Sequence, residues 1–251
     1  MNLKSTLVAA LSLVAFAGAA SAVPITATTA IPTWVSTAGG VAVDENVSYG
    51  RLPDGVADGF NQVRWGTPAN PSFATRGKSG LGFRTAAPVT GIVLENPFSV
   101  GTLRHYNWTI APGTNATGSQ LDISTTLDVG GSAQGPYTFS SKFTVDETLN
   151  VAPCAYPSDR PCSDKITFSN VAGGDTFTIG GIVYTLSVLG FGDTPTSLQD
   201  SFISQEGGTT DTQLWAVITA VNPPTPTPEP APLALLALGL VGMGWVARRK
   251  I

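Results

Sequence analysis

Apolar and polar residues alternate with a period of two along much of the chain between residues 23 and 221, as they do in half-buried β-strands. Two neighbouring segments, 121–129 and 137–145, show this alternation over most of their length. The seven residues between them, GGSAQGP, are typical of a loop, so the pattern predicts a β-hairpin with a long connection. Segments of similar character predict further strands at 79–84, 89–94, 98–107, 165–169, 175–179, 182–189 and 214–221.

These strands predict an all-β fold, an antiparallel β-sandwich with a jelly-roll-like arrangement. Gly180 and Gly181 separate two predicted strands and fit a two-residue hairpin turn. Segment 24–40 is rich in Thr and Ala, and we interpret it as a loosely held arm or a first strand. We find no convincing amphipathic helix between the two ends. A length of about 200 residues suits one all-β domain, which we place at 23–221.

The first 22 residues predict a secretory signal peptide. Lys4 supplies the positive charge, segment 7–20 is apolar, and Ala20-Ser21-Ala22 is a small-residue cleavage site, so cleavage is expected between Ala22 and Val23. The alternative is an uncleaved N-terminal anchor, which the shortness of the apolar segment disfavours. The sequence therefore predicts an exported protein.

The last 30 residues divide into a linker, an apolar segment and a basic tail. Residues 222–230, NPPTPTPEP, predict an extended, semi-rigid linker. The next 17 residues carry no charge, and about 17 is the lower limit for a membrane-spanning helix. A basic cluster follows directly: Arg248, Arg249 and Lys250. Basic residues beside one end of a span favour a cytoplasmic location for that end, which places the body outside the membrane. We predict a transmembrane helix with a basic tail at 231–251, and a buried terminal helix is the alternative.

Pro228-Glu229-Pro230, an apolar span and a basic cluster at the chain end follow one another within 24 residues. This order resembles the PEP-CTERM sorting signal of Gram-negative bacteria. The resemblance implies that an exosortase, a membrane-embedded enzyme, recognises the segment in the inner membrane and cuts near the motif. It also implies delivery to the cell surface or to the extracellular exopolysaccharide matrix of a biofilm, with exopolysaccharide as a candidate partner. The chain is then the substrate of a sorting enzyme.

The charge balance excludes one class of partner. The whole chain has a net charge of −4, and 12% of its residues are charged. The two end segments hold four of its 13 basic residues and one of its 17 acidic residues, so the body carries a charge of −7. An acidic body without clustered Lys and Arg is not expected to bind nucleic acid, because phosphate contacts need such clusters.

Cys154 and Cys162 are the two cysteines of the chain and enclose the short segment CAYPSDRPC. In an exported protein a pair this close predicts a disulfide, with free thiols as the alternative.

Several segments of the body follow one another in an order that is shared with one family. They are 98–107, 147–150, Cys154, Cys162, Asp164, 184–186, 190–191 and Glu206. With these segments the body, from about residue 65 to 221, is similar to the THxN family of PEP-CTERM proteins. That family is named for Thr-His-x-Asn, and this chain keeps His105 and Asn107 but has Arg104 in place of Thr. The resemblance implies a fold and a location but no mechanism.

Five polar residues of these segments are candidate site residues of unknown role: His105, Asn107, Glu147, Asn150 and Asp164. They are compatible with a structural network of hydrogen-bonded turns, which is the favoured interpretation. Their oxygen atoms also suit Ca²⁺ or another cation, as in many extracellular β-modules. Direct contact with a ligand is the third possibility. We predict no cofactor beyond such a structural calcium ion.

The sequence predicts no catalytic residues, because His105 is the single histidine and neither GxSxG nor HExxH is present. Paired carboxylates among Asp146, Glu147, Asp164 and Glu206 leave a glycoside hydrolase as a less favoured alternative. Trp108 is the best candidate for stacking on a sugar, although an edge or core position is the favoured interpretation for it. The predicted function is a non-enzymatic surface or exopolysaccharide-matrix protein, with a carbohydrate-binding module, calcium-assisted or not, as the alternative.

Overall fold

A computed structural model of the protein describes residues 24–50, 55–159, 161–170 and 175–221. The predicted signal peptide, proline-rich linker, transmembrane helix and basic tail lie outside the described residues. Within those ranges, no helix is long and apolar enough to cross a membrane.

The described residues form 13 strands and one short 3₁₀ helix, Pro71–Gly77. In chain order the strands are β1 Ile25–Gly39, β2 Asp44–Val47, β3 Asn61–Trp65, β4 Ser79–Thr85, β5 Val89–Ile92, β6 Phe98–Asn107, β7 Ala116–Val129, β8 Ser132–Asp146, β9 Asp164–Asn170, β10 Asp175–Ile179, β11 Ile182–Phe191, β12 Ser201–Ser204 and β13 Gly208–Val221.

The strands pair antiparallel in two sheets. The six-stranded sheet has the order β12-β9-β8-β7-β1-β5, and the seven-stranded sheet has the order β10-β11-β13-β6-β4-β3-β2. The all-β, antiparallel prediction is confirmed, and the arrangement is sandwich-like. Its jelly-roll-like connectivity stays a prediction.

Alternate side chains of both sheets fill the space between them, which is why the period-two pattern identified so many strands. One core cluster joins residues of the six-stranded sheet, such as Trp34 and Phe143, to Leu81, Phe83 and Leu103 of the seven-stranded sheet. A second cluster contains Leu127, Phe139, Phe177, Tyr184 and Ile218. Both clusters combine strands of the two sheets, so apolar burial holds the sheets together.

The predicted long connection between the strands of the central hairpin is wrong. β7 and β8 pair up to Val129 and Ser132, which leaves Gly130 and Gly131 as a two-residue turn. Both glycines have positive φ, 62° and 86°, which is the conformation that a primed hairpin turn requires. Residues 132–136 looked like a loop because of their composition, but they belong to β8, and a register shift between Thr125 and Leu127 accommodates them.

The predicted Gly180-Gly181 turn is confirmed, since Ile179 pairs with Ile182 across it. Segment 24–40 is a first strand rather than a loose arm, because β1 pairs along most of its length with β7. The Cys154–Cys162 disulfide is also present. Sequence patterns missed the short strands β2, β3 and β12.

Candidate functional site

One end of the space between the sheets is lined by polar rather than apolar side chains. His105 and Asn107 are the last inward-facing residues of β6, and they continue the row that begins with Gly101 and Leu103. Both side chains are fully buried. Their position follows from strand geometry, because residues two apart lie on the same face of a sheet.

The six-stranded sheet supplies two carboxylates at the same end. Glu147 follows the last residue of β8 and continues the inward row of Phe143 and Val145, while Asp164 is the first residue of β9 and faces inward with Ile166. These two strands are neighbours, with Asp146 paired to Lys165. One ligand-type atom each of His105, Glu147 and Asp164 lies within 4.8 Å of the others.

Hydrogen bonds hold both carboxylates in place. The Glu147 carboxylate accepts one bond from the indole N–H of Trp65, at 3.2 Å, and one from the Ser79 hydroxyl, at 2.9 Å. Oδ1 of Asp164 accepts the backbone N–H of Thr148 at 2.7 Å, and the Thr148 hydroxyl lies 3.2 Å from the same atom. Because two of these donors lie in β3 and β4 and the third lies in the segment that joins β8 to β9, the carboxylate orientations are fixed by the fold.

Several buried polar atoms of the candidate site residues have no hydrogen-bond partner in the part of the chain that the structure describes. They are both ring nitrogens of His105, Oδ1 of Asn107, Oδ1 of Asn150 and Oδ2 of Asp164. The amide nitrogen of Asn107 is satisfied, since it donates to the Ser204 carbonyl at 2.9 Å, so its oxygen is free. A buried polar atom without a partner costs about 1–3 kcal/mol, so this concentration is unusual for a purely structural network.

Glu206 and Asn150 lie beside this group. Glu206 accepts a hydrogen bond from the Thr109 hydroxyl at 2.5 Å and another from Asn150. The negative charge of Glu206 acts on both Glu147 and Asp164. The five candidate residues named from the sequence therefore lie at one end of the sandwich. Glu206 is a sixth polar residue at the same end.

The surroundings of the site make it unfavourable for its two carboxyl groups to be negatively charged. Burial raises the pKa of Glu147, and burial together with the charge of Glu147 raises the pKa of Asp164. Burial also lowers the pKa of His105 to about 3, with a smaller contribution from the charge of Arg64. The imidazole is thus neutral at ordinary pH and has a lone pair available, whereas the carboxylates lack a compensating cation among the described residues.

Sequence reasoning missed the residues that orient the carboxylates: Trp65, Ser79 and Thr148. Thr148 adjoins Glu147 and was part of a family segment, but its role depends on a contact with Asp164. Trp65 and Ser79 are 82 and 68 residues away from Glu147, so no local pattern could indicate them.

Two residues discussed in the sequence analysis lie outside the polar site. Arg104 points to the outer face of its sheet, where it forms ion pairs with Asp58 at 2.9 Å and Asp211 at 2.6 Å. The departure from the Thr-His-x-Asn pattern therefore does not alter the inward site. Asp146 also faces away and accepts a hydrogen bond from the Tyr156 hydroxyl.

The tryptophans differ in exposure. Trp34 and Trp65 are fully buried in the core, so neither can stack on a sugar. Trp215 and Trp108 are half-buried. Trp108 lines a groove of about 460 Å³ together with Asn70, Phe73 and other residues.

A larger cavity of about 690 Å³ lies against the polar site. Its walls are formed mainly by residues 109–113 on one side and residues 147–151 on the other. Glu147 and Asn150 contribute to this lining, and the exposed side chains of Leu149 and Val151 form an apolar rim. The cavity is therefore a route by which a small solute can reach the edge of the site.

Comparisons with known proteins concern the C-terminal segment. Residues 226–250 match the PEP-CTERM protein-sorting motif, which confirms the resemblance of that segment. No curated protein matches the chain, and the similarity of the body to the THxN family stays a prediction. The matched motif indicates that the chain is an exported, membrane-processed protein that depends on an exosortase for sorting.

Proposed function

We propose that the protein is a non-enzymatic component of the cell surface or of the exopolysaccharide matrix, and that its all-β body is the part delivered there. The observation that carries this proposal is the sorting motif at residues 226–250, which follows a body that contains a disulfide. A disulfide suits an oxidising compartment outside the cytoplasm. The net negative charge of the body suits a soluble module in a hydrated matrix.

Cell fractionation with and without the exosortase tests the proposal. An antibody against the body should detect the protein in the surface and matrix fractions of the normal host, at a mass that lacks the C-terminal segment. Without the exosortase, the uncleaved chain should remain in the membrane fraction. Retention of the C-terminal segment in both hosts would contradict exosortase processing.

A variant pair separates the motif from the linker around it. Replacing Pro228, Glu229 and Pro230 by alanine should block processing, whereas the change Pro223→Ala with Pro224→Ala alters the same linker and should be processed normally. If both variants are processed alike, the tripeptide is not the recognised element.

A carbohydrate-binding module is the second candidate, and the groove beside Trp108 favours it. Aromatic rings in a groove suit the apolar faces of sugars, and Phe73 is 38% exposed in the same groove. Titration with purified exopolysaccharide, followed by calorimetry, tests this function. Trp108→Ala should abolish binding while Trp108→Phe retains most of it, and equal affinity of both variants and the normal protein would rule out this groove.

The glycoside hydrolase alternative has less support. Asp164 is fully buried, whereas the acid and base of such enzymes must flank a bound sugar.

A further inference from the structure

The polar end of the sandwich contains several metal-ligand-type atoms that have no hydrogen-bond partner among the described residues. His105 and Asn107 come from β6 of the seven-stranded sheet. On the six-stranded sheet, Glu147 directly follows β8 and Asp164 is the first residue of β9. A ring nitrogen and two carboxylate oxygens converge to within 4.8 Å of one another. The inward faces of both sheets thus present ligand-type atoms to one point.

We propose that this point binds one divalent transition-metal ion, with His105, Glu147 and Asp164 as ligands and the Asn107 amide oxygen as a further donor. The free atoms of the site are those that such an ion would take up: a nitrogen of His105, Oδ1 of Asn107 and Oδ2 of Asp164. His105 is fully buried, and neither of its nitrogens has a partner among the described residues. A histidine serving only as packing would carry the desolvation penalty of two buried polar atoms without partners.

The charge of the site also favours a bound cation over ionised carboxylates that lack one. Glu147 and Asp164 are two like charges at short range, and Asp164 is fully buried. The ion pairs found in the described ranges join Lys78 to Asp44 and Arg104 to its two aspartates, so none compensates these carboxylates. Burial of unpaired carboxylates is strongly unfavourable, and a divalent ion removes that cost.

The donor set selects the kind of ion. Calcium takes six to eight oxygen ligands, whereas imidazole is a ligand that Zn²⁺ and other first-row transition metals prefer. Atoms within 4.8 Å of one another have a common point no more than about 2.8 Å from each of them, compared with bonds of about 2.0–2.2 Å to Zn²⁺. Small side-chain rotations would close that difference. This assignment differs from the calcium ion that the oxygen-rich sequence suggested.

The surroundings fit a metal centre as well. Metal-binding carboxylates are usually held by hydrogen bonds from a second layer of residues. Trp65 and Ser79 do this for Glu147, and Thr148 does it for Asp164. Because its ligands come from both sheets, the ion would link the two sheets at the end where apolar packing stops. The proposal does not depend on the sorting function, since it concerns the body alone.

Metal binding by the full chain in detergent tests the proposal. The protein is stripped with a chelator, dialysed, and titrated separately with Zn²⁺, Mn²⁺ and Ca²⁺ by calorimetry, and its thermal unfolding is followed with and without each ion. We expect about one Zn²⁺ or Mn²⁺ per chain, a higher unfolding temperature with that ion, and at least tenfold weaker binding of Ca²⁺.

Variants assign the site. Glu147→Gln and Asp164→Asn keep the side-chain shape and should each weaken binding at least tenfold, by analogy with the effect of altering metal-site residues. Asp146→Asn removes the same charge from the neighbouring, outward-facing position and should bind within twofold of the normal protein. His105→Ala should also lose binding, and if it does not fold, the two carboxylate variants still decide the matter. Absence of binding at micromolar metal, a preference for Ca²⁺, or unchanged affinity in Asp164→Asn would overturn the proposal.

Discussion

The disulfide should stabilise the protein by an amount that its loop length sets. Cys154 and Cys162 are eight residues apart, and the chain-entropy relation gives about 2.5 kcal/mol for a loop of that size. The change Cys154→Ala with Cys162→Ala should therefore lower the free energy of unfolding by about that amount. In a chain of this length, the corresponding drop in Tm is about 5–10 °C.

The bridge also supports the polar site. The Cys162 carbonyl accepts a hydrogen bond from the Thr148 hydroxyl at 3.1 Å. The backbone N–H of Thr148 in turn donates to Asp164. Loss of the bridge should therefore loosen the loop before β9, and proteolysis between residues 151 and 162 should become faster.

Urea unfolding followed by tryptophan fluorescence measures the effect, because Trp34 and Trp65 are buried in the core. A reducing agent that opens the bridge should shift the normal protein towards the double-alanine variant and leave that variant unchanged. The reasoning would be refuted if the variant unfolded within about 0.5 kcal/mol of the oxidised protein, since the predicted loss is several times larger.

Two further predictions concern the site and the packing of the sheets. In the presence of a chelator, the free energy of unfolding should fall as the pH rises from about 4.5 to 8, the range between the ordinary and the raised pKa values of two buried acids. Acids whose pKa is raised by folding, here Glu147 and Asp164, favour the fold when protonated and lose that contribution as they ionise. His105, whose pKa folding lowers to about 3, acts in the opposite direction up to its ordinary pKa of about 6.5 and weakens the fall over that part of the range. The Glu147→Gln, Asp164→Asn double variant should lose this fall, and an equally steep fall would contradict its origin in the two acids. Gly101→Ala should destabilise by about 1–3 kcal/mol, because a Cβ there would lie 2.4 Å from a backbone oxygen and 2.6 Å from a phenylalanine ring of β4. Gly208→Ala, also in a strand but with nothing within 4 Å of the added Cβ, is the matched control and should unfold within about 0.5 kcal/mol of the normal protein, so equal losses in both would refute the packing argument.

The strands that the sequence revealed are those with one apolar and one polar face. β6 and β10 were predicted with their observed bounds. The Gly180-Gly181 turn was predicted correctly because a two-residue hairpin turn requires positive φ, which both glycines adopt. β3 escaped detection for a physical reason. Its polar residues Gln62 and Arg64 are fully buried on the outer face of the sheet, so the strand has no polar face that faces solvent.

Arg64 shows what makes that burial tolerable. Its guanidinium lies 3.8 Å from the centre of the Tyr106 ring and donates to the Lys78 carbonyl at 2.9 Å. Stacking and hydrogen bonding of this kind compensate a buried cation, but they join strands that are far apart in the sequence. A single-sequence pattern contains no sign of them.

The candidate site shows the same division between local and long-range information. Period-two alternation applied to β6 places residues 103, 105 and 107 on one face and residues 104 and 106 on the other. The strand alone therefore determines that His105 and Asn107 act together and that Arg104 belongs to a different environment, so a substitution at that position leaves the inward donors in place. What the strand cannot determine is which residues face it across the sandwich. The approach of Glu147 and Asp164 depends on the pairing of β8 with β9 and on the packing of the two sheets, and it is this packing that brings ligand-type atoms of both carboxyls and of His105 within 4.8 Å of one another.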